Sequence, residues 1–321
     1  MDDDAGYAAL AVNPGSDSLP STLPADTRGA LLRFTNVLLG SYLVLILVLM
    51  FVLRVNPSID LFAVLVGMAA VLIGRGKAFV RDWGPFVLIF LAWEAMRGVA
   101  NTFGQTVQSD SIIGIERALF FGIVPPVELQ AALHQPGAVS GLDIGLSLVY
   151  ISHFFFPLAM AFVFWLRDRI LYYRFVATLM FTSFAAFLTF LLMPVAPPRF
   201  AHQFGEALPV VDVVAAVSAK IDWEGFSWMY GNLVGNPVAA FPSMHAAYPT
   251  LVLLFLLERW RRAALLWVPA TLTIWFATVY LGHHYVIDVI GGVAYAVVAY
   301  LIFRNERVIR FILGRGARER T

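Results

Sequence analysis

Long apolar runs separated by short polar stretches dominate the chain from residue 32 to residue 303. A helix needs about 20 predominantly apolar residues to cross the hydrocarbon core of a bilayer. Eight runs approach that length, at 32–53, 59–74, 83–100, 143–166, 172–193, 240–258, 263–281 and 284–303. The segment 112–134 ("IIGIERALFFGIVPPVELQAALH") is different: it is amphipathic and interrupted by Pro125 and Pro126. That pattern predicts helices lying at the interface rather than a span. The first 30 residues are polar and rich in Asp, Pro, Ser and Gly, which predicts a disordered tail without the basic start and short apolar core of a signal peptide. The expected fold class is an all-α integral membrane protein with about eight transmembrane helices.

Composition supports this class. Hydrophobic residues make up 60% of the chain and charged residues 13%, roughly half the charge of an ordinary soluble domain. The absence of cysteine excludes disulfides, thiolate metal sites and cysteine catalysis. A net charge of +1 gives no case for nucleic-acid binding. The basic residues orient the layout. Clusters at Arg75, Lys77 and Arg81, at Arg167, Arg169 and Arg174, at Arg259, Arg261 and Arg262, and in the tail after Arg304 all fall on one side of an eight-span arrangement. The positive-inside rule makes that side, with both termini, cytoplasmic. The connections 101–142, 194–239 and 281–284 then face outward.

Two outward-facing stretches carry chemistry. In "LGHHYVIDVIGG" (281–292), His284 and Asp288 are four apart and share a helical face. The carboxylate can accept from one ring nitrogen, fix the tautomer and leave the other nitrogen to attack. His284 also falls at a predicted helix N-terminus, where free backbone N–H groups would favour an anion. In "NPVAAFPSMHAAYPT" (236–250), Ser243 and His245 fall at the start of the sixth run. His245 and His284 are 39 residues apart. At 1.5 Å per residue that is roughly 58 Å of helix, about two crossings of the core, so a down-and-up hairpin returns both histidines to one level. A nucleophilic histidine, an acid histidine and an anion-friendly helix end suggest phosphoryl transfer through a phosphohistidine, with His245 protonating the leaving oxygen.

"FPSMH" with "HHYVID" resembles the membrane-bound type 2 phosphatidic acid phosphatase superfamily, and more closely its inositol phosphorylceramide synthase-like branch. "NPVAAFPSMHAA" and "IWFATVYLGHHYVIDVIGG" match that branch in order and spacing, as do "PVAPPRF" (194–200), "WEAMRG" (93–98) and "ERALFFG" (116–122). The likeness covers about residues 80–303. It implies a core of six transmembrane helices, with His284 as nucleophile, Asp288 as its orienter and His245 as the acid. The expected layout is a tail (1–30), two N-terminal helices (31–79), the six-helix core (80–303) and a basic tail (304–321). The resemblance also implies a phospholipid or polyprenyl-phosphate substrate and either head-group transfer, including phosphoinositol transfer, or hydrolysis. The phosphatase pattern has an upstream lysine and arginine, and an arginine six residues before the nucleophilic histidine; here that last position is Thr278. A basic phosphate ligand must come from elsewhere. Arg199 is the first choice because guanidinium matches phosphate geometry, with Arg97 and His283 behind it.

Other readings stay open at this level. His284 and Asp288 could pair only to hold helices together. His153, midway into the fourth run, could line a substrate cleft or bond a neighbouring helix. Glu94 and Arg97, three apart, read first as an internal ion pair. The outward motifs offer one carboxylate, Asp288, too few for a metal set, so neither metal nor cofactor is expected. A proton-coupled transporter would spread polar residues through the bilayer depth, whereas here they gather at one face. A haem protein would need facing histidines within the membrane. Oligomeric state is not legible.

Overall fold

The computed structural model describes residues 59–97, 106–153, 155–206, 208–221, 226–227, 230–231 and 237–305. The first expected run (32–53), the polar N-terminal stretch and the basic tail beyond residue 305 lie outside the described residues. The side chains of 91–97, including Glu94 and Arg97, lie outside them as well.

The described chain is helical, with one isolated parallel bridge between Val195 and Ala239. It divides into two compact units, one up to Val87 and one from Leu88 onward. In the first unit, α1 (Ile59–Leu72) turns at Gly74 into α2 (Gly76–Arg97). Gly74 sits at φ +75°, the left-handed geometry that favours glycine at a helix end. Trp83 is buried there, stacked on Phe79 and edge-on to Phe86.

The second unit carries α3 (Ser109–Leu119), α4 (Pro125–Leu133), α5 (Gly141–Ser152), α6 (Phe155–Arg167), α7 (Arg169–Leu192), α8 (Val213–Lys220), α9 (Met244–Arg259), α10 (Arg261–Tyr280) and α11 (Val286–Arg304). The amphipathic segment forms two helices. Pro125 and Pro126 open the second, where a missing N–H costs no helical bond. Among the described residues, α7, α10 and α11 are long and apolar enough to cross a membrane, and α5 with α6 makes a fourth span if the pair is taken together.

Of the eight expected runs, the first lies outside the described residues, and others depart from a single long apolar helix for local reasons. The described part of α1, Ile59–Leu72, is 14 residues long. The sequence of α2 includes the charged residues Lys77, Arg81, Asp82, Glu94 and Arg97. The fourth run is two helices at 46° rather than one; Pro157, at the third position of α6, has no N–H to carry the ladder back across the break. The sixth begins at Met244 instead of 240, because Pro242 precedes it and Ser243 caps it by accepting from the Ala246 N–H at 3.3 Å.

Helices α9, α10 and α11 form the centre of this unit, with α7 packed on α9 and α11. Two features fix their relative height. At one end the guanidinium of Arg174 on α7 donates to both carboxylate oxygens of Glu258 on α9 (2.5 and 3.0 Å) and to the Phe303 carbonyl of α11 (3.1 Å). At the other end α11 presents Gly291 and Gly292 to the segment before α9. A Cβ on Gly292 would stand 2.1 Å from the Ser243 carbonyl oxygen, and one on Gly291 would stand 2.5 Å from the Phe241 ring. Only glycine lets the two backbones approach this closely. The Ser243 N–H completes the joint by donating to the Asp288 carbonyl at 3.0 Å.

Candidate active site

The joint between α9 and α11 brings the two histidine motifs together. His284 lies in the short turn between α10 and α11, and His245 in the first turn of α9. His284 Nε2 is 3.1 Å from His245 Nδ1, and His284 Nδ1 is 3.3 Å from Asp288 Oδ2. Asp288 is fully buried, and the same oxygen accepts from the Tyr285 N–H at 2.8 Å. A carboxylate so held takes the proton on Nδ1 and leaves a lone pair on Nε2. In that tautomer the nitrogen with the lone pair is the one that faces His245.

Four further groups pack around His245 and His283. Tyr150, from α5, stacks on the His245 ring with centroids 4.2 Å apart, and its hydroxyl meets His283 Nδ1 at 2.9 Å. His153 lies at the break between α5 and α6, midway along the fourth run. It caps the C-terminus of α5, contacts the Tyr150 carbonyl through Nδ1 at 2.6 Å, and brings its ring centroid to 3.7 Å from that of His245. Arg199 sits in a 3-10 turn (Pro198–Phe204) tied by its N–H to the Gly282 carbonyl at 3.0 Å. Its guanidinium is buried, contacts His283 Nδ1 and pairs with Asp212 Oδ2 through Nε at 2.9 Å. Asp212 reaches His283 Nε2 at 3.5 Å, accepts from the Tyr230 hydroxyl, and caps α8 through the Ala215 N–H.

The electrostatics follow from these contacts. Burial by itself raises the Asp212 carboxyl, but the His283 contact and the Arg199 charge outweigh it and hold Asp212 well below the usual carboxylate range. Burial, then the Arg199 charge, pushes His283 down to about 3 against the pull of Asp212. His283 is thus a neutral ring whose Nδ1 can accept from Arg199 and whose Nε2 proton points to Asp212. His283 is buried in the protein and in contact with Arg199.

Two expectations need correction. Asp288 is not the one carboxylate available: Asp212 lies beside Arg199, and Glu116 reaches the same turn from α3. The N-terminus of α11 is also not open to an anion. Glu116 Oε1 accepts from the Val286 N–H at 2.9 Å and Oε2 from the Ile287 N–H at 3.1 Å, while the Asp288 N–H bonds the Tyr285 carbonyl. The donors that sequence position leaves free are taken by a side chain 170 residues away. Ser243 is fully buried as the cap of α9. Arg97 ends α2, and its side chain lies outside the described residues. Among the described residues, no group of three His, Asp or Glu is arranged to hold a metal ion.

The site lies at one end of its helices. The α9 and α11 helices begin there and run to Arg259 and Arg304; α7 and α10 begin at Arg169 and Arg261 and end beside it. The arginine clusters therefore mark the end opposite the histidines.

Similarity to known proteins agrees with this geometry. Phosphoinositol dihydroceramide synthase of Bacteroides thetaiotaomicron is 27% identical over 235 residues, 68% of this chain and 74% of that protein. The catalytic subunit of inositol phosphorylceramide synthase of Schizosaccharomyces pombe is 29% identical over 127 residues, 38% of this chain and 30% of its own. Inositol phosphorylceramide synthase of Candida albicans is 42% identical over 53 residues, 16% of this chain and 11% of its own. The chain thus matches less than a third of each fungal protein's length. No solved structure matches. The family model for the PAP2 superfamily matches residues 110–302, which is more than half of the chain and includes His153, Arg199, His245, His284 and Asp288. The chain belongs to the PAP2 superfamily.

Proposed function

We propose that this protein transfers a phosphoinositol head group from a donor lipid to the hydroxyl of a second lipid, through a phosphohistidine on His284. The coarser assignment follows from the family and from the synthase relatives: a membrane-embedded lipid phosphotransferase or phosphatase. The observation that carries the finer reading is the Asp288–His284–His245 chain, at 3.3 and 3.1 Å. Such a chain supplies a lone pair on one nitrogen and a proton carrier next to it.

The steps balance as follows. His284 Nε2 attacks phosphorus, and the bond from phosphorus to the donor's lipid oxygen breaks. His245 gives that oxygen a proton, so the departing lipid leaves as a neutral alcohol. The phosphorylated imidazole keeps its Nδ1 proton against Asp288, whose charge stabilises the cationic ring. The acceptor hydroxyl then loses its proton to His245, its oxygen bonds phosphorus, and the P–N bond breaks to return His284. Arg199, held by Asp212 and His283, is the guanidinium placed to neutralise the phosphate oxygens. The dihydroceramide class of acceptor comes from the name of the bacterial relative.

The reading extends to topology. The arginine-rich helix ends face the cytoplasm and the histidines face outward, on the basis of the positive-inside rule. The test is incubation of purified protein in vesicles with a donor labelled in its phosphoinositol head group and a dihydroceramide acceptor. Label should move into a second lipid and pass through an acid-labile protein adduct that His284→Ala lacks. Release of free inositol phosphate without transfer would make the protein a hydrolase. An active His284→Ala protein would overturn the mechanism.

A further inference from the structure

The Glu116 contact with α11 has no part in the steps above, yet it is among the most specific in the structure. Glu116 is fully buried on α3. Its two oxygens each take one backbone N–H from the first turn of α11, at 2.9 and 3.1 Å, in the fork geometry of a bound oxyanion. Those N–H groups belong to Val286 and Ile287, between the nucleophile and its orienting carboxylate. On the same turn, Asp288 Oδ2 spans back to the Tyr285 N–H and to His284 Nδ1. The path from His284 to Asp288 is therefore clamped from inside by Asp288 and from outside by Glu116.

A buried carboxylate in this place has two effects. It satisfies donors that a helix terminus otherwise leaves to water or ligand. It also fills the one position on α11 where a phosphate would be drawn by the backbone and the helix dipole. Arg199 meets the residues just before the turn, where its N–H bonds the Gly282 carbonyl and its side chain joins His283 and Asp212. The substrate anion is left with the guanidinium as its partner, and the phosphorus is brought to His284 from that side.

We propose that Glu116 is a positioning residue: it occupies the anion site at the start of the nucleophile's helix, holds the His284–Asp288 turn in its reactive geometry, and directs the donor phosphate to the Arg199 side. This rests on the phosphotransfer reading above. Burial raises the Glu116 carboxyl, the two backbone donors pull it back, and the charge of Asp288 adds to the rise. That balance fits a carboxylate kept in place by its two donors and not by exposure to solvent.

Glu116→Ala and Glu116→Gln test the proposal in the full-length protein, with His284→Ala in parallel. Glu116→Ala should lower kcat by about 10²-fold, the effect of a misplacement near 1 Å, and change KM for the donor far less. Glu116→Gln keeps one carbonyl acceptor and should lose less than Glu116→Ala. Inorganic phosphate should inhibit Glu116→Ala at lower concentration than wild type, because the vacated helix end accepts it. A wild-type kcat in either variant, a loss confined to KM, or equal phosphate inhibition of wild type and Glu116→Ala would each overturn the proposal. So would failure of the similarly sized Glu116→Gln protein to fold, which would make the contact structural. Inactive wild type, or an active His284→Ala, would instead defeat the underlying phosphotransfer reading.

Discussion

Replacing Gly292 by alanine tests whether the backbone contact between α9 and α11 sets the distance between His245 and His284, the proposed acid and nucleophile. The added Cβ would lie 2.1 Å from the Ser243 carbonyl oxygen, where ordinary contact begins near 3.4 Å. The obstacle is backbone, so no rotamer change relieves it, and the two segments must separate by about 1 Å. Ser243 precedes His245 by two residues, and its N–H is bonded to the Asp288 carbonyl. The separation therefore stretches that bond and opens the 3.1 Å contact between the histidines. Overpacking of this kind costs typically 1–3 kcal/mol of stability, and a misplacement near 1 Å costs about 10² in rate. The assay is head-group transfer in vesicles, with thermal unfolding measured alongside. Gly292→Ala should stay folded, melt lower and lose about two orders of magnitude in kcat. Gly291→Ala is the graded control: its Cβ meets the Phe241 ring, which can turn aside, so it should lose less. Wild-type kcat and wild-type melting in Gly292→Ala would refute the idea that the glycine pair sets the site geometry.

Four more outcomes are expected. His284→Ala and His245→Ala should each abolish turnover in a folded protein, and acid assistance alone accounts for about 10² to 10⁴ in rate; His245→Ala should still form the adduct from a donor with a good leaving group, which a phosphorylation assay reads. Asp288→Asn should cut turnover strongly because the amide loses the charge that stabilises the cationic ring, while EDTA should leave the wild-type rate unchanged in the same assay. A cysteine at exposed Ala219, in a chain with no native cysteine, should react with a membrane-impermeant thiol reagent in intact cells; labelling only after permeabilisation would invert the topology. Glu258→Ala should destabilise by about 3 kcal/mol, the low end for breaking a buried pair since Glu258 is 31% exposed, and should lower Tm without shifting KM.

How much was legible depended on how local the signal was. His284 and Asp288 share one helical face, so an interval of four residues suffices to pair them. The return of His245 to the same level follows from helix length alone. Gly291 and Gly292 stand in the motif, but which backbone they admit is visible only in three dimensions. Glu116 and Asp212 were missed because their partners lie far along the chain. Glu116 opens a stretch noted only for its likeness to a family, and nothing within it points to Val286 or Ile287. The same distance explains the misreading of the α11 N-terminus as open, since sequence shows which donors a helix leaves but not which remote side chain takes them. His283, beside the nucleophile, reads as ambiguous until Tyr150, Arg199 and Asp212 are seen converging on it. The fourth run reads as continuous because its hydrophobicity is unbroken; the break comes from backbone restriction at Pro157, which hydropathy does not weigh.

The suture at Gly292 also bears on how the protein meets bilayers of unequal thickness. Both histidines are referenced to the same turn of α11, by the Ser243–Asp288 bond and by the glycine contact. The hairpin of α9 and α10 hangs from that reference with its bend at Trp260, at the far end. Hydrophobic mismatch is absorbed by tilt or by adjustment at helix ends. Adjustment at the arginine end would fall 14 residues of α9 away from His245 and its 3.1 Å contact. A residue inserted near Trp260 should therefore alter how the helices sit in the membrane before it alters the spacing of the two histidines.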